Sequence, residues 1–199
     1  MLPIGAVPSG GNSAAAVPTL NRAKAIASPY ALTPQRRALL ATIRYAEGTW
    51  IGGRIDGYRV LYGGGRFKSL ARHPEITVRR RYTSAAAGAY QFLPGTWRLA
   101  SRKLGLRDFG PHNQDMAALY LVERRGVLAK LDRQGLSAAV LDRLAREWAS
   151  LPTTAGHSYY GQPVKTRHEL QTFYASQLEL AASCVFSPGH SVARNSRSC

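Results

Sequence analysis

Ile43-Arg44-Tyr45-Ala46-Glu47-Gly48-Thr49 reads as the last turn of an amphipathic helix that ends on a carboxylate and is closed by a glycine. Upstream, Thr33 is suited to cap the helix and Pro34 to open it. Leu39, Leu40, Ile43 and Ala46 recur at helical spacing and give it one apolar face. Gly48 can take the left-handed conformation that stops a helix. Glu47 therefore stands at the negative end of the helix dipole, near a partly buried boundary. Both conditions disfavour its ionised form and raise its pKa, as a general acid requires. A solvated glutamate at a helix end is the ordinary alternative, and only the remainder of the chain decides between them.

The chain has 199 residues, of which 45% are hydrophobic, enough for one compact domain with a sizeable core plus tails. No apolar run approaches the roughly 18 residues needed to span a bilayer. A formal net charge of +16 and a pI near 10.6 direct the surface toward polyanions: nucleic acid, anionic lipid or the carboxylate-bearing polymers of a bacterial cell wall. The cations are spread along the sequence, and Arg79-Arg80-Arg81 is their densest run. Cys184 and Cys199 are the two cysteines, both near the C-terminus, and they say little about compartment.

Residues 1–32, rich in Gly, Ala, Ser and Pro, read as a mobile leader or linker without the basic start and continuous apolar segment of a signal peptide. Residues 33–182 read as the folded domain and 183–199 as a polar tail. After the Glu47 helix, glycines punctuate short β-prone segments, Tyr58-Arg59-Val60-Leu61-Tyr62 and Ile76-Thr77-Val78. They predict a small antiparallel sheet over roughly residues 55–82. Gly63-Gly64-Gly65 is followed by no Gly-Lys-Ser/Thr and is not a phosphate loop. Pro94 opens a helix with Trp97, Leu99 and Leu104 that stops at Gly105. Asn113 is placed to cap the next, with Met116, Leu119, Tyr120 and Val122. Ser137 is placed to cap a third, on which Val140, Leu144 and Trp148 follow at every fourth position. A loop over 152–162 holds His157, Tyr159, Tyr160 and Gly161. A final helix from about Lys165 to Ala182 is predicted to bury Leu170, Phe173 and Tyr174. The composite is an α+β architecture, mostly helical, with a small sheet lobe.

Six blocks then carry a family signature in order. The first three are Tyr45-Ala46-Glu47-Gly48-Thr49, Asp56 to Gly64, and His73-Pro74. The others are Ser84 to Pro94, Asn113-Gln114-Asp115, and Trp148-Ala149-Ser150-Leu151-Pro152 with Tyr160-Gly161-Gln162. Together they resemble the bacteriophage lambda endolysin family of lysozyme-like peptidoglycan-cleaving enzymes, over roughly residues 36–180. The resemblance implies a sheet lobe and a helical lobe flanking a glycan-binding cleft, with Glu47 matching the catalytic glutamate. It also implies a lytic transglycosylase, which cuts the β-1,4 bond between N-acetylmuramic acid and N-acetylglucosamine without water. Glu47 would protonate the leaving oxygen. It would then, as carboxylate, take the proton of the muramoyl C6 hydroxyl as a 1,6-anhydro ring closes.

Most glycosidases use two carboxyl groups. Asp56, nine residues after Glu47, also resembles the partner of the Glu/Asp pair in T4-type phage lysozymes. That pattern expects a threonine where Tyr62 stands, so Asp56 reads as a substrate-positioning residue; a hydrolytic muramidase using both acids is the alternative. Asp115 reads as a helix-start residue. Tyr90 and Gln91 follow small side chains that permit close approach to a sugar: an aromatic face for the ring, an amide for the acetamido group. Tyr58 and Tyr160 are further candidates on the two lips of the cleft, and Ser84 can bond the glycan or cap a turn. No metal-binding pattern, cofactor motif or nucleophile elbow occurs. A basic nucleic-acid-binding protein is the non-enzyme alternative, without a recognisable binding motif. An inactive wall-binding relative is the third. The expected setting is peptidoglycan in the periplasm or outside the cell, with glycan strands as partner and a monomeric chain.

Overall fold

In a computed structural model that describes residues 28–185, Thr33 caps helix α1 (Pro34–Ala46), its hydroxyl accepting from the Arg36 N–H at 3.3 Å. Pro34 occupies the first turn, where its missing N–H costs nothing. Glu47 is the C-cap residue and Gly48 follows at φ +71°. Every residue from Ala38 to Arg44 is buried, so α1 runs through the middle of the helices rather than over them. It packs most extensively along α6 (Arg167–Val185), where Tyr45 stacks on Phe173 at 4.2 Å between ring centres.

Around α1 lie α2 (Pro94–Leu104), α3 (Pro111–Arg124), α4 (Leu128–Gln134) and α5 (Ala138–Leu144). Gly105 ends α2 in the left-handed conformation, φ +67°, and the Ser137 hydroxyl caps α5, both as read from sequence. Trp97 and Trp148 are both buried in the core. Other expectations need correcting. Leu99 of α2 faces solvent. Helix α3 starts at Pro111 after Gly110, and Asn113 lies inside its first turn, where its amide donates to Asp108. Trp148 lies past the end of α5 and donates its indole N–H to the Tyr90 carbonyl. Helix α4 had no sequence expectation. Two turns long, it is held by burial of Leu128 and Leu131, too short for a periodic pattern to show.

The second lobe departs furthest from expectation. Residues 55–59 form a 3₁₀ turn, and a second follows at Tyr62–Gly64. The regular ladder is one two-residue hairpin, β1 (Val78–Arg79) antiparallel to β2 (Thr83–Ser84), with Val78 opposite Ser84. Single bridges, Val60 with Arg66 and Leu61 with Ala87, replace the rest of the expected sheet. Gly57 shows why. A Cβ there would lie 2.2 Å from the Thr49 carbonyl, so the chain is pressed against the end of α1 and turns instead of extending. Gly63 and Gly64, at φ +77° and +90°, then reverse it before a ladder can grow.

Ordered packing also begins before the expected boundary at residue 33. Tyr30 is buried and its hydroxyl donates to Glu123 of α3. Residues 1–27 of the leader and most of the C-terminal tail, Cys199 included, lie outside the described residues.

Candidate active site

Four pieces of chain meet at the end of α1. The Thr49 hydroxyl, fully buried, bonds the Ala89 carbonyl at 2.5 Å. The indole of Trp148 donates to the Tyr90 carbonyl at 3.1 Å. His73, buried against the Phe109 ring, bonds the Phe92 carbonyl through Nε2 at 2.8 Å. Gln91 sits in the middle of this clamped segment at φ +47°, a conformation that residues with a side chain seldom adopt. Its amide donates to the Gly88 carbonyl at 3.0 Å and the Val60 carbonyl at 3.2 Å, and its Oε1 accepts no hydrogen bond from the described residues. A strained backbone persists only where its surroundings over-determine it, which the three clamped carbonyls do here.

The run of small residues before Tyr90 serves this clamp. Ala87 and Ala89 are fully buried, and a Cβ on Gly88 would lie 2.3 Å from Gln114 Oε1. Gln114, itself fully buried, accepts from the Ala89 N–H and donates to the Tyr58 and Phe109 carbonyls. Three loops are thus pinned by one amide. The close approach read from the sequence is to Gln114 and Phe109 in the protein interior.

Glu47 lies at this junction, half-buried, with the Ser150 hydroxyl donating to its Oε1 at 2.6 Å. Ser150 comes two residues after Trp148, so the bond that clamps Tyr90 also sets the position of Ser150. Desolvation by the packed surroundings pushes the Glu47 carboxyl up to about 7, against the opposing pull of the Ser150 hydrogen bond. A carboxyl in that state holds its proton near neutrality and can still give it up.

The other candidates separate. Tyr58 and Tyr90 are 8% and 1% exposed, and neither offers a ring face to a sugar. Their hydroxyls converge instead on one oxygen of Asp115, at 2.8 and 2.6 Å. Asp115 is thus a half-buried acceptor for two tyrosines rather than a helix-start residue. Burial raises its pKa even against those bonds. Arg44, also buried, lies over the Tyr58 ring at 4.4 Å and donates to the Arg54 carbonyl. Asp56 is directed into ion pairs with Arg54 at 3.3 Å and Arg66 at 3.5 Å; it is not bonded to Glu47. Ser84 accepts from the Ala86 N–H, the turn-capping option. Tyr160 is 57% exposed, its hydroxyl donating to the Arg146 carbonyl, and it meets the exposed Tyr159 edge to face at 5.1 Å. That loop is tied back toward Ser150 by Ser158, which donates to the Ala149 carbonyl. Glu47, Gln91 and the loop bearing Tyr160 therefore belong to one bonded framework. Ser150, Thr49, Gln114 and Asp115 hold this framework together by hydrogen bonds, a part that sequence reasoning missed. All four lie inside the quoted blocks, but nothing in a lone polar residue reveals its partner 57 or 103 positions away.

Comparison with known proteins follows the same residues. The endolysin family model matches residues 37–179. The endolysin of Escherichia phage lambda is 38% identical over 133 residues, covering 64% of this chain and 81% of the relative. The endolysin of Escherichia phage P2 is 34% identical over 103 residues, covering 52% and 59%. A solved structure of bacteriophage lambda lysozyme complexed with a chitohexasaccharide superposes with a TM-score of 0.65 at 34% identity, over 77% of this chain and 97% of that one. Another lambda lysozyme structure gives 0.63 at 32%, over 76% and 96%. The fold is lysozyme-like, and the chain belongs to the endolysin family, enzymes that cut glycosidic bonds of peptidoglycan.

Proposed function

We propose that the chain is a lytic transglycosylase in which Glu47 acts first as acid and then as base. The observation that carries this reading is the Glu47 carboxyl, desolvated to a pKa of about 7 and hydrogen-bonded by a neutral hydroxyl instead of paired with a second carboxylate. Because Ser150 occupies Oε1, the proton resides on Oε2, free to face a glycosidic oxygen. Protonation of that oxygen lets the bond to the muramoyl C1 break, and the N-acetylglucosamine leaves as its 4-hydroxyl. The C6 hydroxyl oxygen of the same muramoyl residue then bonds to C1 while the Glu47 carboxylate takes its proton. The ring closes as a 1,6-anhydro sugar, Glu47 is again protonated, and no water is consumed. Ser150 stabilises the carboxylate that exists between the two transfers. Asp56, taken up by Arg54 and Arg66, is poorly placed to supply the second acid of a hydrolytic muramidase. Gln91 Oε1 and Tyr160 are assigned to the glycan, the first as acceptor for an acetamido N–H and the second as an exposed ring. Lambda lysozyme holding a chitohexasaccharide supports a glycan ligand for this fold. The one chain carries all these groups, and we read it as acting as a monomer on the cell wall.

Mass spectrometry of the muropeptides released from purified peptidoglycan tests the reaction. Anhydro ends, lighter by one water, are expected. Reducing ends would make the enzyme a hydrolase.

A further inference from the structure

The small lobe carries charge that its own fold does not use. Residues 54–81 hold eight Arg or Lys side chains against two carboxylates, Asp56 and Glu75. Asp56 is taken by Arg54 and Arg66, and Glu75 by Arg98 of α2. Lys68 and Arg72 have no acidic partner among the described residues. They stand on a surface groove of about 520 Å³ whose other walls include Ala71, Pro74 and Ile76. Ile76 is 46% exposed, an apolar side chain left in water on the groove wall.

The groove is a fixed shape. Phe67 at its base is buried against Phe109, and the Phe109 N–H bonds the Leu70 carbonyl at 2.8 Å. His73, between Arg72 and Pro74, is the residue that clamps the Phe92 carbonyl beside Gln91. Groove and catalytic framework are therefore joined through His73, while Glu47 and Ser150 are not among the groove's walls.

We propose that this groove binds the peptide stems that peptidoglycan carries on its muramoyl sugars. The proposal rests on peptidoglycan being the substrate. Such stems carry free carboxylates on consecutive residues next to the methyl side chain of alanine, and the groove sets two cations without acidic partners among the described residues beside aliphatic walls. A single-stranded nucleic acid would need an exposed aromatic face to stack on. The groove's aromatic residue, Phe67, is buried and offers none. Lys68 and Arg72 are exposed, so each contributes modestly and in a salt-sensitive way.

The test compares Lys68→Ala/Arg72→Ala with a charge-matched control, Arg124→Ala/Arg133→Ala, at exposed positions of α3 and α4. Each is assayed on intact peptidoglycan and on glycan strands from which an amidase has removed the stems. Stripped strands keep a carboxylate on every lactyl group, so a general charge effect persists on them. The groove variant is expected to raise KM about three- to tenfold on intact peptidoglycan, with kcat unchanged and stripped strands cut as by the parent. Equal loss on both substrates, no loss on either, or the same pattern in the control would overturn the proposal. Binding is read without catalysis by adding the tripeptide L-Ala-D-Glu-diaminopimelate to the Glu47→Gln variant. Amide shifts confined to residues 67–76 are expected, whereas an unchanged spectrum, or shifts produced only by polyphosphate, would contradict it. Failure of the substrate reading would look different, because the parent enzyme would then cut neither substrate while the titration still reported on the groove; a hydrolytic reaction would leave the comparison of the two substrates unchanged.

Discussion

The helical body and the small lobe are held together by different means. Around α1 the chain follows periodic apolar faces, and one contiguous core takes in all six helices and reaches into the small lobe through Tyr58, Leu61, Phe67, Tyr90 and Phe92. Ion pairs also join distant parts of it, Arg36 with Asp132 and Arg125 with Glu147, both at 2.6 Å. From Thr49 to Phe92 the chain has one two-residue hairpin and a series of turns. Beyond the core residues it shares with the helices, its order comes from side chains bonding distant carbonyls: Gln114, Thr49, Trp148 and His73. Periodicity builds the first region and places Glu47. Long-range polar bonds build the second and place what surrounds Glu47. The same substitution therefore has different consequences in the two.

The largest expected effect comes from Glu47→Gln. Removal of the acid should lower the rate of peptidoglycan cleavage by about 10³-fold or more, measured as release of soluble muropeptides. The stability effect has the opposite sign. Glu47 titrates near 7 in the folded chain and near 4.5 when unfolded, so between those values the folded state binds the extra proton. Stability due to this residue is therefore intact below the unfolded value and lost as pH rises through about 7. The neutral amide of the Glu47→Gln variant would escape that loss. Discounted for partial exposure, the variant should be more stable by about 2 kcal/mol above neutral pH in denaturant titrations, and equal to the parent near pH 4.

Gly88→Ala should break the small lobe next. Its φ of +82° and the 2.3 Å approach to Gln114 Oε1 combine strain with a clash, at a cost of about 3 kcal/mol. Thermal unfolding would show it, and activity should fall with it because Gln91 shares the clamp. Asp115→Asn keeps the shape but replaces the carboxyl acceptor shared by two tyrosine hydroxyls, and about 2 kcal/mol of stability should go with it. In the helical body, Arg36→Ala removes a two-bond pair with Asp132 and should cost only about 1 kcal/mol with activity unchanged. A loss at Arg36 as large as that at Asp115 would erase the distinction between the regions.

How much of this the sequence discloses follows the same line. Helix α1, with its cap at Thr33, its proline and its glycine stop, is legible because every signal is local. So are α2, α5 and the core tryptophans. Tyr58-Arg59-Val60-Leu61-Tyr62 reads as a strand because its residues favour one, but contact with the Thr49 carbonyl at Gly57 overrides that preference. Tyr58 and Tyr90 resemble sugar platforms in sequence and are hydroxyl donors to Asp115 in the fold. Burial of an aromatic ring depends on what packs against it, and propensity says nothing of that. Glu47 is picked out by its place at a helix end together with the family blocks that follow it, whereas Ser150 is not, because its role exists only once residues 103 apart are brought together.

The most direct measurement is an NMR titration of the Glu47 side-chain carboxyl carbon, in the parent and in Ser150→Ala. A midpoint near 7 is expected in the parent and a higher one in the variant, since the lost hydrogen bond favoured the carboxylate. The alkaline limb of activity should move up with it. A parent midpoint near the ordinary value of 4.5 would contradict the central claim, because Glu47 would then hold no proton to give at neutral pH.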